Sequence, residues 1–543
     1  MAKYYSVNDY EVTKTGVKFE CSDKSIKQVF DSCEALCKEN TKQFGDRKVL
    51  QEGAKYNGVW LETQPMGGEM YAMRDIEVAL NNQLIFMQNQ RIDGRIPGMI
   101  TYSLPYEGLS LHMDWMQGDF FTVAAMRMYY LIKKDKNYLE KLYDTLSRFD
   151  DYLWEYRDSD GDGCLETWCT WDTGNDNCTM FFANGVHAEK HGSCCGETAP
   201  VGMGKLPFES SEYMAYSYSH CVTLAEISKI LGNGQEEKWQ KRAEKVRSRA
   251  NEYLWDDDKK AYFDRDCDNK MIHTLTLTNI KCLYHGLPTQ EMADAFIKDH
   301  IMNKDEFMTP LPMPHIAAND PLFYVNEKLH NLSPEIKDKV LSFANYDIAD
   351  NSWSGPVHGL NLQRSIDAFI RYGHHAELTI IGKKWLANLA KHDRYVQQYH
   401  PVTGTPAPGD NGYGPAVLSA LEYIAYLYGV DYVCDELIWS SCDTDVTTEY
   451  TQHLFDCDYK IKRENSVTTA YKNGNEIFKI TSGLRVVTDL DGNIKRICGM
   501  EEHEIDATFE VSGKTFNINV VPNQKTIFEN GKPTETVYIP FEM

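Results

Sequence analysis

The sequence predicts a mainly α chain, an (α/α)6 barrel followed by a small all-β domain, and three observations carry that expectation. Between about residues 25 and 428 the apolar residues recur with helical period, without alternating strand runs between them. The helical stretches come in consecutive pairs joined by turns. Beyond about residue 430 the texture changes to short β-prone runs separated by turn residues.

The pairing is clearest where a stripe can be followed. Leu139, Leu142, Leu146, Phe149 and Leu153 fall on one helical face, and Trp239, Ala243, Val246, Ala250 and Leu254 do the same one hairpin later. The predicted hairpins are 27–43 with 75–90, 113–133 with 136–156, 210–231 with 235–254, 274–286 with 289–301, and 361–372 with 375–390, followed by a helix over 415–428. Eleven or twelve helices are what six hairpins require. Downstream, the runs EIFKITSG, LRVVTDLDGNIKRICG, ATFEVSGKTFNINVV and ETVYIPFE read as strands, with Asp-Gly at 491–492 marking a hairpin. No flexible linker separates the two parts, so the expected division is a helical domain over 1–430 and a docked β domain over 431–543.

Composition narrows the function. A chain of 543 residues with 42% hydrophobic and 25% charged residues can bury a large core. Its formal charge of −24 argues against nucleic acid or an anionic membrane as partner, since a phosphate backbone is gripped by clustered Lys and Arg. A neutral small molecule fits better. No run is long and apolar enough to span a bilayer, and residues 1–10 lack the apolar core of a signal peptide, so a cytoplasmic protein is expected. The 15 cysteines, including adjacent Cys194 and Cys195, show neither CxxC repeats nor a paired His cluster, so they read as reduced structural thiols, with no metal. The oligomeric state is not legible. Asp158, Asp160 and Asp162 resemble the start of a calcium loop, but the twelfth position is Cys169 where that loop needs Glu; an Asx-rich turn is the favoured reading.

The chemistry is expected in long polar, aromatic connections, where side chains from several loops can converge on a ligand. Four stand out: PMGGEMYAMRD (65–75) with IDGRIPG (92–98); RDSDGDGCLETWCTWDTGNDN (157–177), rich in carboxylates and carrying Trp168 and Trp171; NSWSGPVHGLN (351–361); and RYVQQYHPVTGTPAPGDNGYGP (394–415). Sugars present apolar C–H faces and a rim of hydroxyls, so a site for them pairs aromatic platforms with carboxylates and amides. Trp60 and Trp353 are further aromatic candidates at loop roots.

The order and wording of these segments resemble glycoside hydrolase family 63, and more distantly family 37 trehalases, over about residues 55–428. Family members carry an RDxDGDG turn followed by E-S-G-x-D; here RDSDGDG (157–163) is followed by Asp172-Thr173-Gly174-Asn175-Asp176. By that match Asp176 stands at the general acid, with Asp172 in place of the preceding Glu. The motif W-R-G-P-V-W-x-x-N appears as Trp353-Ser354-Gly355-Pro356-Val357-His358-Gly359-Leu360-Asn361, with LPMPHIAANDPLF (311–323) similar to a patterned substrate-side loop. The resemblance implies an inverting exo-acting α-glycosidase requiring no cofactor. Asp75, Asp172, Trp353 and Asn361 would help form the terminal sugar subsite, and Arg74, Trp171, His358 and Tyr399 are further substrate candidates.

One departure bears on the chemistry. An inverting glycosidase needs a second carboxylate to activate water. In the family it is the Glu of E-x-Y-N-P-x-T-G, which maps here onto Gln397-Gln398-Tyr399-His400-Pro401-Val402-Thr403-Gly404, so a glutamine stands at the base position. A carboxamide cannot take up a water proton, and losing a general base costs about 10²–10⁴ in rate. Three explanations stay open: an introduced Glu→Gln change, another carboxylate such as Asp410 in the role, or phosphate as acceptor in a phosphorylase. A sugar-binding protein without turnover is the non-enzymatic alternative.

Overall fold

The computed structural model describes residues 5–103, 108–187, 197–325, 352–529 and 531–538; Cys194 and Cys195 lie outside them. The helical part comprises α1 (Lys24–Asn40), α2 (Gln64–Tyr71), α3 (Ile76–Gln88), α4 (Thr122–Leu131), α5 (Lys136–Tyr156), α6 (Thr179–Ala183), α7 (Ser211–Leu231), α8 (Glu236–Tyr253), α9 (Thr278–His285), α10 (Gln290–Phe296), α11 (Gly359–Arg371), α12 (His375–His392) and α13 (Gly414–Tyr428). Six of them close a ring: α2 packs on α4, α4 on α7, α7 on α9, α9 on α11, α11 on α13, and α13 returns to α2. Most of the others lie outside it, α3 against α2, α5 and α8 against α7, α1 and α12 against α13.

Sequence character explains the two layers. Several ring helices are buried on nearly every side, α13 in fourteen of its fifteen residues and α11 in twelve of thirteen, charged and polar ones included. Two outer helices keep one stripe: α8 buries only Trp239, Ala243, Val246 and Ala250, and α5 buries Leu139, Leu142, Leu146, Phe149 and Leu153 as their spacing predicts. Side-chain caps fix the starts, Asp135 accepting from Tyr138 N at 3.0 Å and Ser210 from Tyr213 N at 3.3 Å, while Gly232 in the left-handed region ends α7.

Three departures from the sequence expectation matter for the site. The stretch 65–75, expected as a connection, holds most of α2. The helix expected over 113–133 begins only at Thr122, because Gln117 (φ 59°) and Gly118 (φ 76°) take left-handed conformations that break helical continuity. Short strands also interrupt the helices: a hairpin of Thr41–Phe44 with Arg47–Leu50, and a three-stranded sheet of Gly58–Trp60, Met99–Ser103 and Gly108–His112. Runs of three to five residues carry too little periodicity to be seen against helices.

The C-terminal part forms two antiparallel sheets, one of seven strands and one of six. Trp439 of the smaller sheet packs against Tyr459 and Phe478 of the larger at 6.1 and 5.9 Å between ring centroids. Leu484–Thr488 and Ile494–Gly499 pair around the Asp-Gly turn. The edge strand of the larger sheet is Gly16–Cys21, paired with Thr448–Leu454, so residues from the chain's start share a sheet with residues from its end. Among the described residues no helix is long and apolar enough to cross a membrane.

Candidate active site

A cavity of about 220 Å³ opens where the loops preceding α2, α4, α6, α11 and α13 meet. It is lined by four tryptophans, Trp60, Trp115, Trp171 and Trp353, by the carboxylates Glu52, Glu62 and Asp176, and by Tyr56, Met99, Gln117, Gly174, Gln397 and Tyr413. Aromatic faces among carboxylates and an amide can receive both the C–H faces and the hydroxyls of a sugar.

Asp176 is placed by its neighbours' backbones. Its carbonyl accepts from Trp353 N at 3.0 Å, and close by Ser354 Oγ accepts from Thr179 N at 3.0 Å, which locks the loop before α6 onto the loop before α11. Beneath it the buried Lys281 ammonium donates to Thr173 O (2.6 Å), Asn175 Oδ1 (3.2 Å) and Glu212 Oε1 (2.8 Å). Burial pulls Lys281 below its usual range, and Glu212 opposes that pull. Gly174 has φ 69°, and a Cβ there would fall 2.1 Å from Glu62 Oε1, so only glycine lets the loop pass this close to the carboxylate.

Asp172 does not line the cavity. Fully buried, it accepts from Arg157 Nη1 (2.6 Å), Trp168 N (2.9 Å) and Met116 N (3.0 Å), while its carbonyl accepts from Gly118 N at 2.7 Å. It thereby joins the loop carrying Trp171 to the loop carrying Trp115 and Gln117. Burial would raise its carboxyl, but the Arg157 guanidinium and the N–H donors hold it below the usual range.

His358 and Asn361 stand behind Trp353. The His358 ring stacks on the indole at 3.8 Å between centroids, its Nε2 donating to Ser352 O at 3.0 Å, and burial pushes its pKa down to about 3, so it is a neutral support. His315 meets the same indole edge-on at 5.1 Å, and Asn361 Nδ2 donates to His315 Nδ1 at 3.3 Å. Tyr399 is buried away from the cavity. Its hydroxyl donates to Arg394 O (2.6 Å) and accepts from Val396 N (2.9 Å), and its strand pairs with Val357–His358, fixing the backbone on either side of Gln397.

Arg74 and Asp75 are placed elsewhere. α2 runs from its start near Glu62 to Tyr71, so residues 74–75 lie at its far end. There Arg74 Nε donates to Glu34 Oε1 at 2.8 Å and Asp75 caps α3 by accepting from Val78 N at 3.1 Å. Trp168 is buried under the Arg157 guanidinium, 4.2 Å from the ring centroid.

Glu52 and Glu62 were not singled out by sequence, nor were Tyr56, Trp115, Gln117 and Tyr413. Glu62 sits in Trp60-Leu61-Glu62, an aromatic and a carboxylate two apart before a Gly-rich segment, which was a usable signal. Trp115 and Gln117 were hidden inside a helix expected to begin at 113. Glu62 Oε1 pairs with Arg364 Nη2 at 2.5 Å, and its Oε2 accepts from Gln117 Nε2 at 3.4 Å. Glu52 is pushed well above the usual carboxylate range, first by burial and then by the charge of Glu62, with Asp176 adding to the rise; a hydrogen bond from Tyr413 and the Arg364 charge oppose it. Gln397 Oε1 accepts from Tyr56 Oη at 2.8 Å, and Asp410, exposed, lines a separate small hollow beside Gln397.

Away from the cavity, the carboxylates of Asp158, Asp160 and Asp162 approach one another, as do those of Asp160, Glu166 and Glu209. Arg249 pairs with Asp162 at 2.8 Å, while Trp168 Nε1 and Ser159 Oγ donate to Glu166 at 2.6 and 2.7 Å.

Residues 61–414, more than half of the chain, match the model of the mannosylglycerate hydrolase MGH1-like glycoside hydrolase domain. The fold is similar to that of the GH63 mannosylglycerate hydrolase from Thermus thermophilus, solved in complex with glucose, with TM-score 0.55 and 15% identity over 73% of this chain and 99% of that one. A structure described as a sialidase matches with TM-score 0.63 and 13% identity over 88% of this chain and 42% of its own. A GH78 rhamnosidase of Bacillus sp. GL1 matches with TM-score 0.50 and 12% identity over 85% and 41%. No curated protein sequence matches the chain. The match over residues 61–414, which hold five of the six ring helices, makes the chain a member of the MGH1-like glycoside hydrolase family, and hence a glycoside hydrolase.

Proposed function

We propose that this chain is an inverting, exo-acting α-glycosidase built on an (α/α)6 barrel, in which Asp176 protonates the glycosidic oxygen as the bond to the anomeric carbon breaks. The observation that supports this most is the company Asp176 keeps: it lines a cavity with four tryptophans and two further carboxylates, while its backbone is tied to a second loop. The cavity's small volume suits a single terminal sugar ring, which favours exo action. Trp171 and Trp353 supply platforms, and Glu62, paired with Arg364, is suited to accept hydroxyl hydrogen bonds. Asp172, His358, Asn361 and Tyr399 serve from behind as positioning residues. The substrate is a small glycoside, the class that the family favours, and the acidic chain suits one without a large negative charge.

The test is turnover on a panel of α-glucosides and α-mannosides, with and without inorganic phosphate, following the released anomer by NMR for the native protein, Asp176→Asn and Gln397→Glu. The expected result is phosphate-independent hydrolysis with inverted anomer, reduced about 10²–10⁴-fold by Asp176→Asn. Turnover that requires phosphate and releases a sugar 1-phosphate would replace hydrolysis with phosphorolysis, the second reading that Gln397 favours, because an anionic acceptor needs no base. Saturable sugar binding without turnover by any variant would make the chain a carbohydrate-binding protein.

A further inference from the structure

We infer that Glu52 is the general base of this site, taking the role that a carboxylate at position 397 would otherwise fill. The inference rests on the glycosidase reading above and adds to it the residue that activates water.

A general base here must be a carboxylate that lines the cavity with Asp176 and is not already engaged in an ion pair. Three carboxylates line the cavity among the described residues, Asp176, Glu52 and Glu62. Asp176 is assigned to protonating the leaving oxygen. Glu62 has both oxygens engaged, one in an ion pair at 2.5 Å with Arg364 and the other accepting from Gln117 Nε2 at 3.4 Å. Asp410 stands outside, exposed beside a separate hollow. Glu52 is left, buried with 6% of its surface exposed.

Its place fits the role. Glu52 and Gln397 share one wall: Tyr413 hydrogen-bonds Glu52 and packs its ring 5.8 Å from that of Tyr56, and Tyr56 in turn donates to Gln397. Gly174 and Asp176 come from the loop that Trp353 anchors. Glu52 is also rigidly held. Its N donates to Gly58 O at 3.1 Å, and its carbonyl accepts from Gly414 N, the first residue of α13, at 2.5 Å. A Cβ at Gly414 would lie 2.5 Å from that carbonyl, so glycine there permits the docking.

Electrostatics support the same assignment. The groups that act on Glu52 are Glu62 and Asp176, which raise its pKa with burial, and Tyr413 and Arg364, which lower it. A carboxylate whose pKa is raised is a stronger proton acceptor, in its charged form, than an ordinary one. The step balances: Glu52 carboxylate takes a proton from water, the water oxygen bonds to the anomeric carbon, the glycosidic C–O bond breaks, and the proton of Asp176 goes to the departing oxygen. Glu52 then returns its proton to solvent and Asp176 regains one.

The experiment compares the native protein, Glu52→Gln, Glu52→Ala and Tyr413→Phe on α-D-glucosyl and α-D-mannosyl fluorides, whose good leaving group relieves the demand on Asp176. Glu52→Gln is expected to lose at least about a hundredfold in kcat with KM little changed. Azide, a nucleophile that needs no deprotonation, is expected to restore turnover of Glu52→Ala and to yield the β-glycosyl azide, which also shows that the variant is folded. The acidic limb of the native pH–rate profile should lie above the ordinary carboxylate range, and Tyr413→Phe, by removing a hydrogen bond that favours the charged form, should move it higher. Native turnover that survives in Glu52→Gln within threefold, or a retained anomer, overturns the assignment and leaves the glycosidase standing. Absence of native turnover on every fluoride and glycoside overturns both.

Discussion

The buried pair of Asp172 and Arg157 offers the sharpest energetic test of how the site is held. Both side chains have no exposed surface, and a single contact of 2.6 Å joins them. Asp172→Asn keeps the shape of the side chain but removes the charge, leaving the guanidinium buried without its carboxylate, and the new amide N–H₂ must face the N–H of Met116 or the donors of Trp168 and Arg157. Removing one partner of such a pair costs about 3–5 kcal/mol. With about 2.1 cal/mol/K of unfolding entropy per residue, 543 residues unfolding together give about 1.1 kcal/mol/K, so the melting temperature should fall by about 3–4 °C. Asp172 has its pKa lowered in the fold, so its contribution is present above the unfolded carboxylate value and is lost as pH falls through the folded one. The native protein should therefore lose stability on acidification below about pH 4, the unfolded carboxylate value, and Asp172→Asn should lose less over the same range. Urea unfolding of Asp172→Asn, Arg157→Met and the double variant should show the double costing less than the sum of the singles by about 0.5–3 kcal/mol. Losses that add, or a single-variant cost under about 1 kcal/mol, would refute the view that this pair is the charged post tying the two loops.

Two further outcomes follow from contacts at the cavity wall. Gly174→Ala places a methyl group 2.1 Å from Glu62 Oε1 at a backbone φ of 69°, so it should add about 1–2 kcal/mol of left-handed strain and push Glu62 aside, weakening sugar binding in a calorimetric titration far more than an alanine on an outer helix does. His358, with its pKa lowered to about 3, should show no imidazole protonation by NMR between pH 8 and 4; because the unfolded chain protonates this residue near pH 6.5 and the folded one does not, His358→Gln should be less destabilised than the native protein as pH falls below that value.

Much of the fold was legible because the helices differ in how many faces they bury. The stripes of α5 and α8 could be read residue by residue, whereas the near-complete burial of α7 between them could not. The site was less legible. Asp176, Trp171, Trp353 and Gln397 were found because wording carried them, and they meet in one cavity. Glu52 and Glu62 were missed because their environment comes from residues far along the chain: Arg364, Tyr413 and Gly174 give them their character, and no local spacing announces that. Arg74 and Asp75 were drawn toward the site by a Gly-rich stretch that reads as a turn. Gly67 and Gly68 instead lie inside α2, where a Cβ would meet Leu418 at 2.8 Å and Asn82 at 2.7 Å, so these glycines serve helix packing and carry the following residues away from the cavity.

The loops around the cavity hold one another through backbone bonds more than through the reactive side chains. Trp353 N donates to Asp176 O, Gly118 N to Asp172 O, Gly359 N to Gln397 O at 3.3 Å, and Gly414 N to Glu52 O. A frame of this kind does not depend on which side chain at the rim carries the charge. Replacing a carboxylate by an amide at position 397 leaves the frame intact, and even relieves it of a further negative charge in a cavity that already contains Glu52, Glu62 and Asp176. With a fourth carboxylate present, like-charge repulsion would drive Glu52 further toward its neutral form, where it could not accept a proton. On the reading that Glu52 is the base, Gln397 therefore spares Glu52 a further upward push, and Gln397→Glu should move the acidic limb of the pH–rate profile upward. A limb that stays in place, with activity rising because Glu at 397 has taken the proton itself, would return the role to position 397.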